Sequence, residues 1–198
     1  MGTRRCERLA IGAPISWRRA GRWAACILVA TLAACGGGGG GGGGPTQPQP
    51  GVTFSPSSTA GANSVALSGA GDTTATTFTL TVNASQVTDL YGVAFELSYP
   101  QSVLSFQQAS EGTVLNAGGG TQTSLQVTEA TNGDLVVGLS RLGSVGGFTG
   151  SGTLLTLKFS ISNPGSGAIS FSANQAYDSA GSPISGLQWV GGTLQVTR

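Results

Sequence analysis

Beyond residue 51, apolar and polar residues alternate in short runs, the period of a half-buried β-strand. Phe78, Leu80 and Val82 alternate with threonines. Tyr91, Val93, Phe95, Leu97 and Tyr99 interleave with Gly92, Ala94, Glu96 and Ser98. Leu125 with Val127, and Leu135, Val137 and Leu139, flank Asn132-Gly133, a pair that favours a tight hairpin. Leu155, Leu157, Phe159 and Ile161 place Lys158 on the opposite face. Ile169, Phe171 and Ala173 make a further run, and Leu194 with Val196 the last. Pro164-Gly165 and Asp178-Ser-Ala-Gly181 mark other reversals. No stretch carries sustained helical spacing with caps. The pattern predicts an all-β domain over residues 51–198, with about nine strands in a two-sheet sandwich of jelly-roll topology. A chain of that size buries an adequate core without disulfides.

The first fifty residues read differently. Six of the nine basic residues lie between Arg4 and Arg22, and all three cysteines (Cys6, Cys26, Cys35) lie in the first 35 positions. From residue 36 onward, three basic and seven acidic residues leave a net charge of −4. Ala24 to Ala34 is an eleven-residue apolar run behind the arginines. It suits a signal-peptide core and is too short for a bilayer of ~30 Å. It ends in Leu32-Ala33-Ala34-Cys35, which resembles the bacterial lipobox. That resemblance implies a signal peptide over 1–34, a lipid on the Cys35 thiol and cleavage just before it. Gly36 stands where an Asp favours inner-membrane retention, which implies the outer membrane or the cell surface. Nine glycines (36–44) and Pro45-Thr-Gln-Pro-Gln-Pro50 follow. Polyglycine is flexible and the Pro-Gln repeat is extended, so residues 35–50 read as a tether reaching at most ~50–60 Å.

Several segments together resemble one family. Gly92-Val-Ala-Phe-Glu-Leu-Ser-Tyr-Pro100 followed by Val103-Leu-Ser-Phe106 is similar to the cohesin pattern of an extended strand, Tyr-Asp-Pro and Leu-x-Phe. Thr79-Leu-Thr-Val-Asn-Ala84, Gly133-Asp-Leu-Val-Val-Gly-Leu139, Leu157-Lys-Phe159 and Gly191-Gly-Thr-Leu-Gln-Val196 follow that family's order. The likeness spans roughly 65–198. It departs where Tyr99 meets Pro100 directly, without the intervening Asp. The resemblance implies a carbohydrate-binding-module-like sandwich that acts as receptor for a dockerin-like module of another protein. Two rivals share the fold: direct polysaccharide binding, and a structural or adhesin role.

The composition narrows the chemistry. With no His there is no His-based triad, metal site or proton shuttle. The charge lacks the basic footprint of a nucleic-acid binder. Asp134 follows Asn-Gly and Asp178 opens a turn, so turn chemistry accounts for them and no catalytic residue is assigned. A calcium ion in a loop is the one cofactor to consider, and no dense acidic run supports it. Phe148, between Gly146-Gly147 and Gly150, is read as a ring on a mobile loop. Trp189 is the one Trp beyond residue 35, with core packing as its plainer reading. Glu96, Arg141 and Lys158 are read as outward-facing rim residues of a ligand-binding surface.

Overall fold

The computed structural model describes residues 51–70, 74, 76–131 and 133–197. The signal-peptide, Cys35 and tether readings lie outside these residues. Pro45–Arg198 is one compact unit, and both sheets and the core they enclose are complete within it.

Among the described residues eleven strands form the sandwich: β1 (Gly51–Pro56), β2 (Ser64–Gly69), β3 (Thr77–Leu90), β4 (Gly92–Ser98), β5 (Leu104–Glu111), β6 (Thr123–Thr131), β7 (Asp134–Arg141), β8 (Phe148–Ile161), β9 (Gly165–Tyr177), β10 (Gln188–Val190) and β11 (Gly192–Thr197). One sheet has the order β1-β11-β9-β4-β7-β6, the other β10-β2-β3-β8-β5. Every pairing is antiparallel except β10 with β2. Among the described residues the one helical turn is a 3-10 turn at Ala117–Gly119. The all-β sandwich expected from the alternation is the fold observed. It has about two more strands than expected among the described residues.

The inward faces of β3, β4, β7 and β8 supply the largest buried side chains, including Phe78, Phe95, Leu135 and Phe159. Phe159 lies at the centre of a ring cluster, with centroids 5.1 Å from Tyr99, 5.9 Å from Phe106 and 6.2 Å from Phe78. β6 and β7 pair as consecutive antiparallel strands, with Thr131 opposite Asp134; the Asn132 half of the expected turn lies outside the described residues. Without the family's Asp, Pro100 closes the corner after β4: its carbonyl accepts from the Val103 and Leu104 amides, each at 2.9 Å.

Bulges break the simple alternation. Gln86 and Asp89 in β3 have φ of 46° and 53°, and the register against β8 shifts around them. There the Gln86 and Asp89 amides donate to the Ser151 and Thr149 hydroxyls, at 2.8 and 3.0 Å, in place of ladder carbonyls. Ala173 in β9, at φ 46°, does the same to the β4–β9 register. The bulge turns Ala173 outward, against the alternation, and brings Ala176 into the core.

Tyr99 is buried and its hydroxyl donates to Glu129 Oε1. Burial, and then this bond to a carboxylate, push its pKa up to about 12. A phenol whose pKa is raised on folding stabilises the native state fully below its unfolded value of about 10. That contribution is lost as pH rises through 12. Denaturant midpoints are expected to fall between pH 10 and 12 in the wild type, and to fall less in Tyr99→Phe. Equal alkaline loss in both would rule the contact out as the cause.

Candidate functional site

The outer face of β9-β4-β7-β6 can be mapped row by row from its registers. One row runs Tyr177–Gly92–Ser140–Ser124, and the next Gln175–Ala94–Gly138–Gln126. The third runs Ser172–Glu96–Val136–Thr128. Successive rows on one face are about 6.7 Å apart. The two central strands carry small residues in the first two rows, so the face is hollow there. The resulting trough of about 290 Å³ is floored by Gly92, Ala94, Gly138 and Ser140 and lies between Tyr177 and Gln126. A Cβ placed on Gly138 would meet nothing within 4 Å, which shows how open the floor is.

Four large apolar side chains are well exposed among the described residues: Leu142 (46%), Val136 (42%), Val145 (40%) and Tyr177 (38%). Val136 and Tyr177 sit on this face, and Leu142 and Val145 belong to the loop that leaves the trough end of β7. Hydrogen bonds from several elements pin that loop. The Tyr91 hydroxyl donates to the Gly143 carbonyl at 2.7 Å, and the Leu142 amide to the Gln122 carbonyl at 2.8 Å. The Gly147 amide donates to Asp89 Oδ1 at 2.8 Å. Asp89 Oδ2 also accepts from the Ser179 hydroxyl at 2.8 Å. These bonds, Ser179's first and Gly147's second, hold the Asp89 carboxyl below the usual carboxylate range. The bulges at Gln86 and Asp89 thus aim one carboxylate at two loops.

The expected rim residues do not converge on one surface. Glu96 is exposed on the outer face just mapped, where it accepts a 3.4 Å hydrogen bond from Ser172. Lys158 is exposed on the outer face of the other sheet, opposite Thr79 and Gln108. Arg141 corrects the outward reading, because it is 8% exposed. It ends β7 where the loop folds back over it, and its guanidinium donates to the Gly146 and Val114 carbonyls. Phe148 is not on a mobile loop: it opens β8 opposite Leu90 and packs half-buried against the core. Trp189 is half-buried against Phe95 and Phe171, at 5.6 and 5.1 Å, as its core reading expects. Gly138, Val136, Leu142 and Val145 carry no polar or aromatic signal by which strand parity marks them as site residues. For Gly138 the available signal was a glycine inside an alternating strand.

A larger groove of about 550 Å³ lies by β2 and the residues after β1, lined by Pro56, Thr59, Ala66, Ser68 and Asn83 among others. Its polar groups bind one another: Asn83 Nδ2 donates to Ser68 and Thr81, and Asn83 Oδ1 accepts from Thr153. That leaves little to recognise a ligand. Asp134 likewise accepts from Ser98 and Thr131, which keep its carboxyl below the usual range. Among the described residues no three acidic, His or Cys side chains come together as a metal site.

The comparisons fit this architecture. The Cohesin domain family matches residues 53–196. Type II cohesin A11 from Bacteroides cellulosolvens superposes with a TM-score of 0.56 at 16% identity, covering 67% of this chain and 98% of that one. The sixth cohesin of scaffoldin B from Acetivibrio cellulolyticus, solved in complex with a mutant Cel5 dockerin, gives 0.55 at 17% identity, covering 67% and 97%. No curated protein matches. The structural likeness shows the sandwich, the family match spans nearly all of it, and this chain therefore belongs to the cohesin domain family.

Proposed function

We propose that this chain is a non-catalytic receptor module held on the cell envelope by a lipid on Cys35. Its outer β9-β4-β7-β6 face receives a dockerin-like module of another exported protein. The observation that carries this reading is the trough: a sheet face hollowed by Gly92, Ala94 and Gly138, lined by exposed Tyr177, with exposed Val136 one row further along. Such a face suits an inserted protein element, because it buries apolar groups without leaving polar ones unpaired. Family membership and a relative crystallised with a dockerin support the same partner. The link to polysaccharide runs through whatever the partner carries. Direct sugar binding is not favoured, since Tyr177 is the one ring among the described residues that is more than a third exposed.

Immobilised residues 45–198 are expected to capture, from the organism's exported proteins with calcium present, a protein with duplicated Asp/Asn-rich loops. Chelation should release it, because such loops fold around calcium. Capture that survives chelation, or a blank, sinks the dockerin reading. The anchor is tested separately. An alkyne-palmitate fed to cells is expected to label the full chain and not Cys35→Ser; label on the variant rejects lipidation there.

A further inference from the structure

The two ends of the mapped face differ in chemistry. At the Tyr177–Gly92 end β7 runs on into the pinned loop, which carries the exposed Leu142 and Val145. Two rows away stands Glu96. The face carries one other acid, Asp134, whose oxygens are taken by Ser98 and Thr131. No Lys or Arg of the described residues lies on it: Lys158 is on the opposite sheet and Arg141 is buried beneath the loop.

The loop is built to hold its apolar side chains out in water. Exposed aliphatic residues on a free loop would fold back on the core or be averaged by motion. Here Arg141, Asp89, Tyr91 and Gln122 fix the backbone on both sides of Val145. Gly147 is tight against this anchor, since a Cβ there would lie 2.3 Å from the Asp89 carbonyl. Preorganisation of this kind lowers the ordering cost of binding. Rigid apolar side chains beside a pocket are where interface energy concentrates.

We infer that the pinned loop 142–147 and Glu96 are the specificity-determining elements of this face, and that they select a protein partner with aliphatic side chains at one end and a Lys or Arg at the other. This deepens the trough reading and rests on it. Two rows are about 13 Å along the strands. The Leu142–Val145 end adds about one row more, so the two partner features are set ~13–20 Å apart. On a helix that is about nine to thirteen residues. The charge match fixes which way the partner lies, and the 142–147 loop supplies most of the affinity.

The test pans displayed calcium-loaded dockerin modules against residues 45–198 and keeps clones that Gly138→Arg fails to capture. Dissociation constants are then measured for four forms. Leu142→Glu/Val145→Glu is expected to weaken binding at least 30-fold. Glu96→Gln is expected to weaken it five- to tenfold and to flatten its salt dependence. Lys158→Gln is expected to stay within twofold of wild type. All three sites are exposed, so melting temperatures should not move. An unchanged constant in the double variant overturns the role of the 142–147 loop, and unchanged salt dependence in Glu96→Gln overturns the charge match. A panning that yields nothing removes dockerins as the partner and leaves the face to be read with displayed random peptides. Peptide clones lost on Gly138→Arg should then carry aliphatic and basic residues at the stated spacing. Clones without them, or no enrichment, overturn the inference.

Discussion

Gly138→Arg is expected to reduce partner binding at least a hundredfold while leaving the melting temperature within about 1 °C of wild type. The two halves of that expectation have one cause. Gly138 lies mid-strand in β7, between Ala94 and Gln126, and a Cβ there projects into open space. Glycine inside a strand is destabilising by roughly 0.5–1 kcal/mol relative to alanine, so a side chain here costs the fold nothing. It does fill the trough, and it puts a cation where a partner's basic group would pass. Gly92 would not serve, because a Cβ there sits 3.1 Å from the Ser140 Cβ and would strain the sheet. Calorimetric titration with the captured partner, beside a thermal melt, reads both halves. Undiminished binding would move the docking surface elsewhere on the sandwich.

Phe159→Ala is expected to show the largest loss of stability. Phe159 is fully buried, sits between Phe78 and Phe106 in register, and touches Tyr99 from the facing sheet. Truncating a buried phenylalanine costs about 3–5 kcal/mol, through lost transfer energy and the cavity left behind. A domain of this size has about 5–15 kcal/mol in total. At about 2–4 °C per kcal/mol, the melting temperature falls by roughly 6–20 °C. Phe106→Ala should cost clearly less, because Phe106 is only half-buried. Equal shifts for the two would mean that the ring cluster is not centred on Phe159.

The strands that were legible in the sequence are those with one face on the core and one in water. β4, β7, β11 and the second half of β8 from Leu155 onward alternate, and their inward residues are buried. The bulges were not legible. Nothing in Asn83-Ala-Ser-Gln-Val-Thr-Asp89 announces two left-handed residues, because side-chain hydroxyls from β8 create that geometry from afar. Arg141 is a different case: it shares the parity of Leu135, Val137 and Leu139, so the alternation itself points it inward, where it lies, and the outward reading gave it the wrong face. The trough eluded the pattern because it is made of what is missing. Small residues on neighbouring strands form a hollow only once the register sets them side by side, and register is a long-range property.

The pairing of Gly51 with Thr197 gives the domain a freedom of connectivity. The first and last strands finish side by side on one sheet, so a short linker could join them into a closed chain. New ends could then be opened at the exposed turn Ser162–Pro164, on the corner after β8, with every ladder retained. The order in which the strands leave the ribosome is therefore separable from the sandwich they build. A circular permutant would carry its attachment point at the Ser162–Pro164 turn and present the same trough in a different orientation to whatever holds it.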